Sequence, residues 1–398
     1  MVAFFTDTDK MNFRIFLFFF LFAFVSSLEK APALEYVRFT HQGKERSEEG
    51  RVILEAPDGF AFETRDGRYF VITPANVVAR SSDETPFESY TKTEMLERFK
   101  EEFPQAEGYN YLDMYDPFIV VYTTSRAFAN WYGTLLEKLH DQYVSHWKRL
   151  GMELTTPEFP LVVIVFSSEE RFRQYAKQDG VALSKEQCAY YHKLTNRIAV
   201  YDMSEQQARQ EGNQKRATTV DIQRFLAQPN ASNNIMTVMH EAAHQVGFNT
   251  GMLPRFAPIP VWLCEGLAVF HEVPNPNRST RIREAWTLGP HVNSYRLVQL
   301  RRYLNKPQQE SPIRKMIKND DLFRRTETAL DNYAIAWGLI YYLVKKRPKE
   351  LTTYLEIMQK KIPESEDSDE IRIKEFESCF GDDWEKIHKE FFEFLRRL

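Results

Sequence analysis

The stretch NIMTVMHEAAHQVG, residues 234–247, constrains this chain more than any other feature. On a helix, residues four apart share one face, so His240 and His244 can direct two imidazole nitrogens at one point while Glu241 leans over the adjoining position. That is the HExxH arrangement of a zinc site. With nine His in 398 residues, a chance occurrence has a probability of only roughly 0.02. The flanking Ile235, Val238, Met239, Ala242, Ala243 and Val246 describe a largely buried helix. Two histidines and a carboxylate in such surroundings need a partner.

A catalytic zinc takes three protein ligands and keeps a fourth position for water. The run from His244 to Thr250 begins like the metzincin extension HExxHxxGxxH but ends in a neutral Thr, a poor substitute for a third imidazole. The better third ligand is Glu265, 21 residues after His244, in VWLCEGLAVFHE over residues 261–272. This is a second apolar helix with a lone acid in its middle. An exposed helix acid would not be crowded by Trp262, Leu263, Leu267 and Ala268.

The rest of the chain sets the frame. Lys plus Arg number 52 against 56 Asp plus Glu, a net charge of -4, which gives no drive toward nucleic acid or an anionic membrane surface. No nucleic-acid partner is expected. A 43% hydrophobic and 27% charged composition is that of an ordinary globular protein. Cys188, Cys264 and Cys379 are odd in number, widely spaced and free of any CxxC pair, so they read as small buried hydrophobes. No GxGxxG or GxSxG stretch occurs. His192, His271 and His291 read as structural or solvated.

Residues 11–27 carry Arg14 ahead of eleven apolar residues, Ile15 to Val25, and then small residues fit for cleavage. This reads as a signal peptide, because eleven residues fall short of the ~20 that span a bilayer. The mature chain is expected to begin near Leu28, to be secreted or periplasmic, and to have no stable membrane insertion after signal cleavage. Residues 28–82 show short β-type runs, Tyr36–Phe39, Arg51–Leu54, Phe60–Glu63 and Arg68–Ile72, with Asp58-Gly59 and Asp66-Gly67 where hairpin turns need positive φ. They predict a small antiparallel β module of barrel or SH3-like type. Residues 83–116 read as a linker with one helix around Lys92 to Glu102. An α+β part over 117–233 has apolar strands at Phe118–Tyr122, Leu161–Phe166 and Arg197–Asp202. It also has a long helix from Ser125 that Gly151 closes, and a shorter one at Glu169–Lys177. Residues 234–398 are almost entirely helix and loop.

HEAAHQ followed by WLCEGLAVF resembles the gluzincin metallopeptidases, whose pattern is HExxH with a Glu ligand on a following helix. The form is similar to their aminopeptidase branch, where HExxHQ pairs with WLNEGFA. More closely still, the chain resembles a bacterial domain-of-unknown-function family of secreted, gluzincin-like proteins. The resemblance covers about residues 117–398, including Tyr190-Tyr191, NRIAVYD at 196–202 and NYAIAWG at 332–338. It implies an α+β, zincin-like catalytic domain, with a mixed sheet and an active-site helix followed by a helical subdomain.

The resemblance also implies that His240, His244 and Glu265 bind Zn2+ and that Glu241 is the general base and later the acid. It makes Glu272 an acid that orients a ligand histidine, and Tyr333 a donor to the oxyanion of a peptide or protein substrate. The strand around Ile198 to Tyr201 would either align an extended peptide, as gluzincin edge strands do, or be a plain core strand. Gly266 would serve close helix packing. The GxMEN signature of the aminopeptidases is absent, so aminopeptidase activity is not implied. Two other readings stay open: a noncatalytic zinc or scaffold protein, which would have no need of Glu241, and a zinc hydrolase of a nonpeptide amide in the cell wall.

Overall fold

The computed structural model describes residues 32–204, 217–228, 231–273, 292–304 and 311–398. The expected signal segment, residues 11–27, and His291 lie outside these. The first sheet contains β1 (Ala33–His41), β2 (Lys44–Ala56), β3 (Gly59–Thr64), β4 (Tyr69–Ile72) and β5 (Val77–Pro86). Its order is β4-β3-β2-β1-β5 and every pairing is antiparallel. Alternation along the strands turns Val37, Phe39, Phe60, Phe62, Phe70 and Ile72 into one small core. Gly67 sits at φ 80° in the turn between β3 and β4, where a Cβ would also meet the Phe159 ring at 2.9 Å. The fifth strand escaped the sequence because its RSSDET stretch is polar; pairing with β1, not an apolar face, makes it a strand.

The expected linker, residues 83–116, is built into the fold. It holds the end of β5, then α1 (Lys92–Glu102), which starts on a Thr91–Glu94 capping box and buries Met95 and Phe99. It ends with β6 (Asn110–Tyr115), which pairs with β7 (Phe118–Tyr122). Only Leu112 of β6 is buried, so its strand pattern was weak in the sequence.

The second sheet adds β8 (Leu161–Phe166), β9 (Ala189–His192) and β10 (Arg197–Tyr201), in the order β6-β7-β8-β10-β9. The three central strands β7, β8 and β10 are parallel, and the outer two are antiparallel to their neighbours. Burial on both faces explains the continuous apolar runs of β7 and β8. The strand at Ile198 to Tyr201 is therefore interior, and the strand beside it, β9, forms the edge. Antiparallel β1–β5 and the mixed second sheet, together with twelve helices among the described residues, make this an α+β protein.

The long α2 (Arg126–Arg149) begins at the Ser125 cap and packs on the second sheet, with Phe128, Leu135, Leu139, Tyr143 and Trp147 turned inward. Two central helices follow, α5 (Ala231–Asn249) and α6 (Val261–His271), after α3 (Glu169–Gln178) and α4 (Thr219–Leu226). The later helices include α7 (Ser294–Leu304), α8 (Pro312–Lys318) and α9 (Thr326–Lys346). The α6 helix lies against α9, and Gly266 permits it: a Cβ there would stand 2.8 Å from Ile340 and 3.0 Å from the Ala336 carbonyl. No described helix is long and apolar enough to cross a membrane. Cys188 is buried as expected, whereas Cys264 and Cys379 are half-buried.

Candidate metal centre

Helix α5 buries His240, Glu241 and His244 because its polar triad points between the sheet and α6, while Ile235, Val238, Met239 and Val246 fill the remaining faces. Helix α6 brings Glu265, fully buried, to the same point. The ligand atoms of His240, His244 and Glu265 lie within 4.8 Å of one another, so this group could bind a metal ion. His240 Nε2 is 3.1 Å from Glu265 Oε2 and 3.0 Å from His244 Nε2, and His244 Nε2 is 3.7 Å from Glu265 Oε2. Metal–ligand bonds of about 2.0–2.1 Å at a tetrahedral angle place neighbouring ligand atoms about 3.3 Å apart. The three separations bracket that value. The second oxygen of Glu265, Oε1, meets no donor at hydrogen-bond distance among the described residues, an expensive state for a buried carboxylate that a cation would relieve.

Supporting groups fix the orientation of these side chains. His240 Nδ1 lies 3.1 Å from Glu272 Oε2, at the C-terminal end of α6. Glu272 Oε1 accepts in turn from Asn293 Nδ2 at 2.9 Å and faces Arg296 at 3.4 Å. Such an outer carboxylate sets the tautomer and ring plane of a ligand histidine. Glu241 is held from the opposite side: its Oε2 accepts the Tyr191 N–H of edge strand β9 at 2.9 Å, and its Oε1 has no hydrogen-bond partner among the described residues. Tyr333, on α9, is buried with its ring 6.2 Å from that of His240 and the Arg296 guanidinium 5.4 Å from its ring centre.

Charges in this pocket oppose burial in different ways. Burial alone would lower the His240 imidazolium, but its contacts with Glu265 and Glu272 outweigh that and hold it up at about 10. For Glu265 burial works toward protonation, yet His244 and His240 bring it down to about 2. Burial keeps His244 below its ordinary value despite Glu265, and it pushes Glu241 up to about 7 against the pull of His240. Burial and then the Glu265 charge hold the Tyr333 phenol far above its ordinary range, so it stays protonated.

Several contributors were not legible in the sequence. The Tyr191 donor is a backbone group. Asn293 and Arg296 follow α6 without a periodic cue. Gln245, the last letter of HEAAHQ, carried the one visible hint: its Nε2 donates to the Asn196 carbonyl at 2.8 Å and the Val162 carbonyl at 3.2 Å, clamping α5 to β8 and β10. His271 lies away from the ligand cluster, accepting from Trp147 Nε1 at 2.9 Å.

A family model described as a protein of unknown function, DUF1570, matches residues 234–365. That is about a third of the chain, and it contains His240, Glu241, His244, Glu265, Glu272 and Tyr333. No curated protein matches the chain.

Proposed function

We propose that this chain is a zinc-dependent metallopeptidase of gluzincin type, on a zincin-like fold, that acts outside the cytoplasm on peptide or protein substrates. The observation that carries the reading is Glu241, a buried carboxylate with one oxygen tied to the sheet and the other unpartnered, next to a three-ligand cluster. A structural metal site has no need of such a base. The extracytoplasmic part rests on residues 11–27.

His240, His244 and Glu265 would hold the ion, with Glu272 orienting His240. When bound, zinc lowers the pKa of a water ligand to about 7 and polarises a carbonyl oxygen. Glu241 accepts the proton of the attacking water through Oε1 while the water oxygen bonds to the carbonyl carbon. As the C–N bond breaks, Glu241 passes that proton to the leaving amine. The Tyr333 phenol donates to the developing oxyanion. Strand β9 lines the substrate along the edge turned away from β10, the side on which the Tyr191 N–H already reaches Glu241.

The test is metal content by plasma mass spectrometry on the purified mature chain, alongside His240→Ala and Glu265→Ala, followed by a quenched-fluorescence peptide library with Glu241→Gln as control. One zinc per chain, lost in both ligand variants, with hydrolysis that Glu241→Gln lowers about 10²-fold or more, is the expected result. A parent that takes up no zinc after reconstitution overturns the proposal.

A further inference from the structure

The N-terminal sheet and the helical part line a half-open cavity of about 240 Å³. Arg51, Ile53 and Tyr69 wall it from the sheet, and Phe248, Arg255 and Phe256 from the other side. It adjoins the metal centre. Phe248 lies one turn beyond His244 on α5, and its ring is nearly parallel to that imidazole, with centroids 6.4 Å apart. An engineered cavity of about 150 Å³ accepts benzene, so this one has room for a single amino-acid residue.

The charges on its walls are arranged as a chain with one open end. Arg51 pairs with Glu158 through two hydrogen bonds of 2.7 Å and also with Glu63 Oε2. Glu63 Oε1 accepts from Arg255 Nη2 at 2.7 Å, and the same nitrogen reaches the Gly67 carbonyl at 2.8 Å. Arg255 is only 8% exposed; Nη2 makes both of those bonds and the Tyr191 phenol lies beside the guanidinium, which leaves donors to spare among its five N–H groups. Arg51 and Arg255 face Glu63 and Glu158, the Tyr69 hydroxyl donates to Glu364 Oε1 at 2.9 Å, and Lys193 Nζ lies 5.4 Å from the centres of both the Phe248 and Phe256 rings. A buried guanidinium with donors to spare is suited to a carboxylate, and the two Phe rings to an apolar group beside it.

We infer that this cavity is a binding subsite for a peptide carboxylate flanked by an apolar side chain. The carboxylate is either the free C-terminus or an acidic side chain of the substrate. One helical turn is about 5.4 Å and one extended residue about 3.3 Å, which sets the subsite about two residues from the scissile bond. The inference rests on the peptidase reading for its substrate class, and it gives the N-terminal sheet a part in recognition.

The experiment is calorimetry on the metal-free full chain, so that no ion can capture a carboxylate. The probes are Ala-Ala-Phe, its C-terminal amide, and the amide of Ala-Glu-Phe. At least one carboxylate probe is expected to bind about tenfold or more tightly than the Ala-Ala-Phe amide, and the probe that gains identifies the source. Arg255→Gln should erase the difference. Ile53→Trp, which fills the cavity and leaves the ion pairs in place, should weaken the preferred probe and carries the test if Arg255→Gln does not fold. Equal binding of all three probes, or a preference that survives both substitutions, overturns the subsite. The two proposals fail separately: a zinc-loaded chain that cleaves peptides without carboxylate preference removes only the subsite. A chain that binds carboxylates by Arg255 but cleaves nothing removes only the peptidase.

Discussion

Proton competition at His240 gives the site its sharpest quantitative consequence. The imidazole stands between Glu265 Oε2 and Glu272 Oε2, each at 3.1 Å, and without metal it keeps its proton up to about pH 10. A metal needs the Nε2 lone pair, so uptake near pH 7 must expel that proton. Three pH units at 1.36 kcal/mol each make the cost about 4 kcal/mol, or about a thousandfold in affinity. Glu265, already ionised above about 2, releases nothing, and His244 is held neutral by burial. Glu241, poised at about 7, adds up to about half a proton. Zinc affinity should therefore rise about tenfold per unit between about pH 7 and pH 9.

Titration of the stripped protein against a chromophoric chelator, corrected for the chelator's own protonation, reads the slope. Calorimetry in two buffers of different ionisation enthalpy counts the protons. Glu272→Gln removes one of the two carboxylates that hold the proton, so its slope should level off at a lower pH. An affinity that stays flat across this range, with no proton released, refutes the reasoning. The same shift has a stability consequence. His240 is raised from 6.5 to about 10 on folding, so its contribution is complete below about 6.5 and is lost as pH rises through about 10. The metal-free chain should melt at a lower temperature at pH 9 than at pH 7.

Glu241→Gln should retain zinc and lose about 10² to 10⁴ in kcat, read by metal analysis and peptide turnover together. Tyr333→Phe should lower kcat about 10²-fold with little change in KM, because the lost hydroxyl would act on the transition state only; an effect confined to KM would assign Tyr333 to substrate binding. Gly266→Val, forced against Ile340 and the Ala336 carbonyl, should cost about 1–3 kcal/mol in urea unfolding. Gln245→Leu strips the Asn196 and Val162 carbonyls of their donor and should cost a similar amount, about 1–3 kcal/mol, by thermal melting.

What could be read from the sequence was whatever local spacing determines. The i, i+4 histidines had to share a helix face, and Glu265 stood out because an acid in the middle of WLCEGLAVF has no apolar role. The interior strands β7 and β8 announced themselves as unbroken apolar runs. Polar β5 and largely exposed β6 did not, since their strand state comes from a neighbour's backbone. Of the two readings of the strand at Ile198 to Tyr201, the structure gives the plain core strand, paired on both sides, and RIAVY is the more apolar of the two neighbouring runs. Apolarity marks the strand paired on both sides, whereas its neighbour AYYH is shorter and carries more polar groups. Long-range ion pairs such as Arg197 with Glu102, at 2.5 and 2.9 Å, leave no trace in spacing at all.

That edge strand also explains how an N-terminal sheet can bear on the metal centre. β9 has four residues and one strand partner among the described residues, too little by itself to fix the Tyr191 N–H on Glu241. Its turn into β10 is secured from two sides. From α5, Gln245 holds the Asn196 carbonyl and Asn249 exchanges hydrogen bonds with the Asn196 side chain, at 2.8 Å each way, while Asn196 itself sits at φ 57°. From the first sheet, the Tyr69 N–H donates to the Leu194 carbonyl at 2.8 Å, with the Tyr69 ring stacked 3.7 Å from Phe256. The candidate metal ligands ride on α5 and α6, so they do not depend on this hairpin. The position of Glu241 Oε2 does, and through it the first sheet reaches the proposed base without touching the candidate ligands.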